Sequence, residues 1–408
     1  MKHLDISTQF VHAGERRPVP AGVPAVTPIY ATSTFTYETM EAVDRIVDGE
    51  VKDYVYSRYG NPTVAALEDA LAVIENGAFA HAFGSGMAAL HAALLACDLG
   101  PGSVVLASAD LYGATIDLLY TVFGNFGVKT KTVDFSDLKA LEEKVAELKP
   151  RVLIGETLSN PLLKVLDIEA CAEIAHKYGA RLIVDNTLAS PFLCRPLDLG
   201  ADLVVHSATK YLGGHADATG GVVVAREEFD RPALFGAVTL VGGILSAWEA
   251  HQILRGIKTL GLRLEKQCAN AEVLAKYLSL SPHVESVYYP EFDNSSAVER
   301  VLRPPFYGGV VTIRLADDTK AAAYRFLNSL ELCTRAASLG DIFTGITHPA
   351  TATHREMAPA QRRRIGVTDG LIRISAGIEN VDDIIADIEQ AFESVEIGTG
   401  LIEELVEC

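Results

Sequence analysis

The sequence predicts an α/β protein with a large, mostly parallel sheet and a smaller C-terminal α/β domain. Helical patterns separate several short apolar runs that are rich in β-branched residues. Continuously apolar strands that alternate with helices are typical of a parallel sheet covered on both faces. The predicted strands of the large sheet are 104–108, 128–134, 151–156, 181–186, 202–207 and 221–225.

Three parts are expected along the chain. Residues 1–60 show no clean period, and we interpret them as an extended arm that forms no unit of its own. Residues 61–255 form the predicted large domain and 256–408 the C-terminal domain, with one helical stretch at 245–275 connecting them. A chain of 408 residues exceeds the size of one usual hydrophobic core, which supports two domains.

Composition excludes several classes of partner. The chain has 53 acidic and 35 basic residues and a net charge of −18, whereas nucleic acids and anionic membranes bind clustered Lys and Arg. The short basic run at 361–366 favours a solvated helix face. No apolar run is long enough to span a bilayer, and the first residues lack a signal-peptide core. The six cysteines have no metal-like spacing, so we expect no metal site and a reducing cytoplasm.

Polar residues follow two predicted strands. Asp185 ends the run at 181–186, and Ser207, Thr209 and Lys210 follow the next strand. Ligands of parallel sheets gather at the carboxyl ends of the strands. A helix cap or a buried turn would equally explain Asp185, and a lysine that reaches solvent would explain Lys210. The hydroxyls on both sides of Lys210 and the glycines beyond it favour a phosphate contact or a nucleophilic amine.

The turn Gly84-Ser85-Gly86-Met87 precedes a strongly helical segment. Free amides and the positive end of the helix dipole suit an anion there, although a serine cap alone would also explain Ser85. An anion cradle, a strand-end amine and a strand-end carboxylate together match pyridoxal phosphate, which has a phosphate, an aldehyde and a basic ring nitrogen. A nucleotide-binding protein with this turn as its phosphate loop is an alternative, but no nucleotide motif supports it. A cofactor-free binding protein is a further alternative.

The segment SATKYLGGHADATGG at 207–221 resembles the signature of the Cys/Met-metabolism enzymes, which use pyridoxal phosphate. The family includes methionine γ-lyase, cystathionine γ-lyase, cystathionine γ-synthase and O-acylhomoserine sulfhydrylases. The resemblance covers nearly the whole chain and implies the transferase-like architecture of fold type I. The two γ-lyases are the members that the chain resembles most.

The resemblance implies a role for each matching residue. Lys210 would be the Schiff-base lysine and proton shuttle, Asp185 would hold the ring nitrogen, and Tyr112 would stack on the ring and assist proton transfer. The remaining assigned residues are the phosphate contacts Gly86, Met87, Ser207 and Thr209, the substrate contacts Asn160, Ser338 and Arg373, and Tyr56 and Arg58, which would reach a neighbouring subunit's phosphate. Asn160 would also lie near the ring hydroxyl. Action of Tyr56 and Arg58 across a subunit boundary would require at least a dimer, and the resemblance implies a homotetramer built as a dimer of dimers.

The same resemblance implies a carbon–sulfur lyase that acts on a small amino acid. γ-Elimination from methionine, homocysteine or cystathionine, or α,β-elimination from cysteine-type substrates, would yield a 2-oxo acid, ammonia and a thiol. A γ-replacement synthase that uses an activated homoserine is the alternative. Asp117 stands where cystathionine-handling members place an arginine, which favours a substrate without a distal carboxylate. Ala114, Ala337 and Val238 also depart from one or another member's pattern.

Overall fold

The structure is a computed structural model that describes residues 22–406, with side chains to residue 393. Residues 1–21 of the predicted arm, and Cys408, lie outside the described residues. Each strand predicted in the sequence is present in the described part of the chain, with bounds shifted by at most two residues.

The large sheet has seven strands in the order β1-β7-β6-β5-β4-β2-β3. All of them run parallel except β7, which is antiparallel to both of its neighbours. The strands are β1 (Phe79–Phe83), β2 (Val104–Ser108), β3 (Lys129–Val133), β4 (Val152–Glu156), β5 (Arg181–Asp185), β6 (Leu203–Ser207) and β7 (Gly221–Ala225). The predicted, mostly parallel sheet is confirmed.

Helices cover both faces of this sheet. Successive side chains of a strand point to opposite faces, and accordingly Leu182 and Val184 belong to one buried cluster while Ile183 belongs to another. The central strands β4, β5 and β6 have buried interior positions without polar alternation, whereas the edge strand β3 carries exposed lysines. Each fully buried aliphatic side chain contributes about 1.5–3 kcal/mol. The helices up to residue 257 are α1 (Met40–Val47), α2 (Pro62–Ile74), α3 (Gly86–Leu95), α4 (Gly113–Asp117), α5 (Leu138–Leu148), α6 (Ile168–Lys177), α7 (Ser190–Leu193), α8 (Arg231–Gly236) and α9 (Ala247–Ile257).

A second sheet of five strands has the order β10-β11-β12-β9-β8. Only β10 and β11 pair in parallel, and the other neighbours are antiparallel. The strands are β8 (Val284–Tyr288), β9 (Val310–Leu315), β10 (Thr334–Arg335), β11 (Gly345–Thr347) and β12 (Leu371–Ser375), and the helices from residue 260 onward are α10 (Leu260–Leu278), α11 (Ser296–Val301), α12 (Lys320–Ser329), α13 (Pro359–Arg364) and α14 (Val381–Val406).

Two sequence predictions were wrong in detail. The single helical stretch expected at 245–275 is two helices, α9 and α10, which are separated at Lys258 and Thr259. Helix α1, which Thr39 caps, lies in the region interpreted as an extended arm. None of its residues is buried, so the sequence has no helical spacing of core residues there. The domain boundary at 255/256 remains a prediction.

Candidate active site

The strands β4, β5 and β6 are neighbours in the sheet, and their carboxyl ends carry Glu156, Asp185 and Ser207. The register places Glu156 directly beside Asp185. Lys210 follows three residues after the end of β6. The fold therefore brings three polar strand ends and one amine to the same edge, where ligands of parallel sheets bind.

The turn at Gly84–Gly86 packs against this edge. Ser85 caps α3 by accepting a hydrogen bond from the Ala88 amide at 3.1 Å. A Cβ atom added at Gly86 would lie 2.8 Å from Ser207 Cβ, and one at Gly221 would lie 2.1 Å from the Ser85 carbonyl oxygen. Only glycine permits this approach, which brings the first amides of α3 next to the Ser207 hydroxyl. This combination suits a phosphate group.

Asp185 and Ser207 are tied to each other through Thr187. The Thr187 amide donates to Asp185 Oδ1 at 2.9 Å, and the Ser207 amide donates to Thr187 Oγ1 at 2.8 Å. Burial raises the pKa of Asp185, while the hydrogen bonds from Thr187 act in the opposite direction. A protonated ring nitrogen beside this carboxylate would compensate for its burial.

Thr209, a predicted phosphate contact, bonds instead to the backbone of its own loop. Its hydroxyl donates to the Gly220 carbonyl at 3.3 Å and accepts from the Gly220 amide at 3.1 Å. This pair of bonds closes the loop that carries Lys210. Contact between Thr209 and a phosphate remains a prediction.

Lys210 lies where the two sheets meet. Its Nζ donates to Ser338 Oγ at 3.2 Å. Burial lowers the pKa of Lys210, and the charge of Arg373 lowers it further, whereas the Asp341 carboxylate raises it. The neutral amine, which is the nucleophilic form, is therefore a larger fraction of the Lys210 population than it is in a solvated lysine.

Arg373 lies on β12 of the second sheet and is 2% exposed. Its two terminal nitrogens donate to Asn160 Oδ1 and to the Ser338 carbonyl, both at 2.9 Å, and Nε has no hydrogen-bond partner. Burial lowers the pKa of Arg373 to about 10. A buried guanidinium that is held by neutral oxygens fits an incoming carboxylate, which would supply the missing negative charge.

Glu156 was not predicted as a site residue, although it binds two residues that were. Its Oε1 accepts from the Tyr112 amide at 2.7 Å, and its Oε2 accepts from the Asn160 amide at 3.1 Å. Burial raises the pKa of Glu156 well above its usual range, and the neighbouring Asp185 carboxylate raises it further. A carboxylate that ends an apolar strand was the available signal, as it was for Asp185.

A cavity of about 750 Å³ opens beside Tyr112. The residues that line this cavity include Ala114 and Asp117, two of the departures from the family pattern, and residues 352–357. His354, in the latter segment, is 1% exposed and has no partner at Nε2. Burial lowers its pKa to about 4, so its ring is neutral. Nothing in the sequence pattern had singled out His354.

Tyr56 and Arg58 are not bonded to the strand-end residues in the described part of the chain. Arg58 donates to the Thr239 carbonyl at 2.5 Å, and its guanidinium lies 4.6 Å from the centre of the Tyr59 ring. The Tyr56 side chain is exposed. Their role at a neighbouring subunit's phosphate remains a prediction.

Known proteins with this architecture support a common chemistry. A solved structure of a putative O-acetylhomoserine (thiol)-lyase from Campylobacter jejuni subsp. jejuni has a TM-score of 0.85 and 30% identity, and the match covers 90% of this chain and 95% of that one. It contains N'-pyridoxyl-lysine-5'-monophosphate, a lysine joined to the cofactor. The fold and the strand-end site thus define a fold type I enzyme that uses pyridoxal phosphate.

The chain belongs to the family described as Cys/Met metabolism PLP-dependent enzyme, whose model matches residues 7–393. L-Methionine γ-lyase from Pseudomonas putida is 42% identical over 392 residues, which cover 95% of this chain and 97% of that protein. Cystathionine β-lyase from Lactococcus lactis subsp. cremoris is 38% identical over 389 residues, which cover 95% and 99%. The nucleotide-binding and cofactor-free alternatives are therefore wrong.

Proposed function

We propose that this enzyme cleaves the carbon–sulfur bond of a sulfur amino acid by γ-elimination. The observation that carries the proposal is the contact at Ser338, whose hydroxyl accepts from Lys210 while its carbonyl accepts from Arg373. It places a basic amine next to a buried guanidinium that can bind a carboxylate. The relatives named as a methionine γ-lyase and a cystathionine β-lyase support elimination from sulfur amino acids.

Each residue would have a distinct task. Arg373 binds the substrate α-carboxylate, with Asn160 and Ser338 fixing the direction of its guanidinium. Neutral Lys210 removes the Cα proton and returns protons to the carbon chain, a task that its lowered pKa favours. Tyr112, which Glu156 holds in place, assists proton transfer near the leaving group. Bound pyridoxal phosphate supplies the electron sink for the Cα charge.

The phosphate and the ring nitrogen of the cofactor would each meet a matching group. The Gly86 and Met87 amides and the Ser207 hydroxyl would hold the phosphate, since Gly86 approaches Ser207 so closely that an added Cβ would lie 2.8 Å from Ser207 Cβ. Asp185 would hold the ring nitrogen of the bound cofactor, and the nearby positive charge of a protonated ring nitrogen would in turn favour the carboxylate form of Asp185. The residues present therefore fit the cofactor.

The cavity beside Tyr112 favours a substrate without a distal carboxylate. Asp117 lines this cavity, as do Arg355 and Arg364, and the preference rests on Asp117, whose negative charge would repel a second carboxylate that lies beside it. Methionine and homocysteine have no such group, whereas cystathionine has one. With methionine, the balanced reaction takes up one water and releases methanethiol, 2-oxobutanoate and ammonia.

Product analysis tests this proposal. The full-length enzyme with pyridoxal phosphate is incubated with methionine, homocysteine, cysteine or cystathionine, and 2-oxo acid and ammonia are measured without added thiol. Equimolar release of 2-oxobutanoate and ammonia from methionine or homocysteine is expected. If the enzyme turns over only an O-acylhomoserine together with sulfide, elimination is overturned and the γ-replacement alternative is established. The similarity of the fold to the O-acetylhomoserine (thiol)-lyase structure supports this alternative.

We also propose a cytoplasmic homotetramer. Large apolar side chains are exposed on several segments of the single chain, among them Val122 (39%), Phe126 (60%), Leu240 (86%) and Trp248 (61%), as expected for surfaces that subunits cover. The five cysteines in the described part of the chain are free and buried, as is usual in a reducing compartment. No helix among the described residues is long and apolar enough to cross a membrane. Light scattering of the purified protein would give the subunit number.

A further inference from the structure

A second buried polar cluster lies behind the strand-end site. It consists of Glu75, Asn186 and His206, which are 0%, 0% and 1% exposed, and we call it the Glu75 cluster. Glu75 Oε1 accepts from Asn186 Nδ2 at 2.9 Å and lies 2.6 Å from His206 Nε2, which donates to it. Glu75 Oε2 has no hydrogen-bond partner. No task in the proposed reaction uses these three residues.

The cluster is adjacent in sequence to two of the proposed cofactor contacts. Asn186 directly follows Asp185, and His206 directly precedes Ser207. Because successive residues of an extended strand face opposite sides of the sheet, the Glu75 cluster occupies the side opposite Asp185 and Ser207. The buried clusters agree with this, since Val204 packs on the side that includes Leu67 and Leu71 of α2, whereas Val205 packs on the side of α3.

The cluster connects three elements. Glu75 follows the last residue of α2 and caps that helix, Asn186 follows β5, and His206 lies in β6. Asn186 also donates to the Cys194 carbonyl and accepts from the Thr157 hydroxyl, at 2.9 and 2.8 Å. The ends of β5 and β6 are therefore held from behind by Glu75 and from the front by Thr187.

A buried carboxylate is a costly choice for holding two strands together. Apolar side chains of similar volume often stabilise a fold as well as a buried polar network does. Polar networks instead fix directions, because hydrogen bonds depend on distance and angle. The Glu75 cluster thus suits a need for orientation at the strand ends more than a need for stability.

We propose that Glu75 and His206 are positioning residues that set the placement of Asp185 and Ser207 and thereby the affinity for pyridoxal phosphate. Both residues lie on the side of the sheet opposite to Asp185 and Ser207, so they would act without contacting the cofactor. This inference rests on the proposed assignment of Asp185 and Ser207 to the cofactor.

The test measures the dissociation constant for pyridoxal phosphate. The full-length protein is equilibrated with known concentrations of free cofactor, and the bound fraction is read from the visible absorption of the protein. Glu75→Gln removes the charge at nearly constant volume, and His206→Ala removes the donor. Each is expected to raise the dissociation constant about tenfold, in line with the loss of one hydrogen bond to a charged group. His206→Gln retains a donor and is expected to recover most of the affinity.

Asp230→Asn is the matched control. Asp230 is 2% exposed and accepts two hydrogen bonds of 2.7 Å from Arg181, the first residue of β5. The substitution therefore perturbs β5 at the end opposite to Asp185. The dissociation constant of the Asp230→Asn variant for pyridoxal phosphate is expected to stay within about twofold of the wild-type value. Circular dichroism identifies any variant that does not fold. If Glu75→Gln does not fold, the difference in cofactor affinity between His206→Ala and His206→Gln tests the inference.

A double-mutant cycle separates positioning from general destabilisation. If Glu75 acts through Asp185, the loss of affinity caused by Glu75→Gln is smaller when Asp185→Asn is also present. Fully additive losses, or wild-type affinity in both Glu75→Gln and His206→Ala, would overturn the inference. Wild-type protein that retains no pyridoxal phosphate would instead overturn the proposed function.

Discussion

The carboxyl edge of the large sheet and the strand β12 of the second sheet contribute to the candidate site in different ways. The large sheet presents Asp185, Ser207 and Lys210 at or just beyond strand ends, where backbone amides and side chains converge. The second sheet presents Arg373 from the middle of a fully buried strand. The first arrangement suits a cofactor that lies across the edge, and the second suits a small anion that enters between the sheets. Cofactor binding and substrate binding should therefore be separable by mutation.

Lys210→Ala removes the amine that extends from the large sheet to Ser338, and the largest effect is expected from it. The visible absorption of the protein with its cofactor should change to that of non-covalently held pyridoxal phosphate, because the covalent link is lost. Turnover should fall by on the order of 10⁴-fold or more, since nucleophile and proton carrier disappear together. Unchanged absorption in this variant would refute the assignment of Lys210.

Arg373→Leu tests the substrate region. The value of kcat/KM should fall about 10²–10³-fold, mainly through KM, because a buried ionic contact to the substrate carboxylate is lost. Retention of pyridoxal phosphate should not change, and this is measured in the same preparation. Arg314→Leu is a suitable control, since Arg314 lies on the neighbouring strand β9 and pairs with Glu285 at the surface. A loss of cofactor in Arg373→Leu would show that the two regions are not independent.

Gly86→Ala affects the cofactor region alone. The new Cβ would lie 2.8 Å from Ser207 Cβ, so the turn must move away from β6 and the phosphate contacts weaken. The dissociation constant for pyridoxal phosphate should rise about tenfold, while KM at saturating cofactor stays constant. Gly236→Ala provides the control, because no atom lies within 4 Å of a Cβ at Gly236. Equal cofactor affinity in both variants would argue against the phosphate site.

Asp341→Asn produces the smallest expected effect and tests the charges where the regions meet. The Asp341 carboxylate stabilises protonated Lys210 and so raises its pKa. Its removal should lower the pKa of the Lys210 amine. The acidic limb of the kcat profile, which reports the substrate complex in which this amine acts as a base, should therefore move to lower pH by less than about one unit. A shift toward higher pH would contradict the sign of this interaction.

The cofactor region was more accessible to sequence reasoning than the substrate region. The interior of strand Arg181–Asp185 is continuously apolar, so the aspartate that ends it is conspicuous. Arg373 lies in the strand LIRIS and would be a surface residue on an edge strand by pattern alone; only the family resemblance indicated its role. Its burial depends on Asn160, which is distant in sequence, and no local period encodes that contact.

Glu75, Glu156 and helix α1 were missed for related reasons. Glu156 ends an apolar strand, but its role depends on two loops whose backbone amides, those of Tyr112 and Asn160, donate hydrogen bonds to it. Glu75 follows a helix, where a solvated carboxylate is the usual expectation, and its burial results from packing against β5 and β6. Helix α1 was missed because none of its side chains is buried.

The single antiparallel strand of the large sheet has a consequence for the reactive amine. A parallel successor to β6 would have required the chain to cross behind the sheet, whereas β7 begins beside Ser207 at the same edge. Residues 208–220 therefore form a loop with both ends fixed at that edge, and the bonds between Thr209 and Gly220 close it near its ends. The volume that Lys210 can explore is small, so its local concentration at the cofactor is high before any substrate arrives.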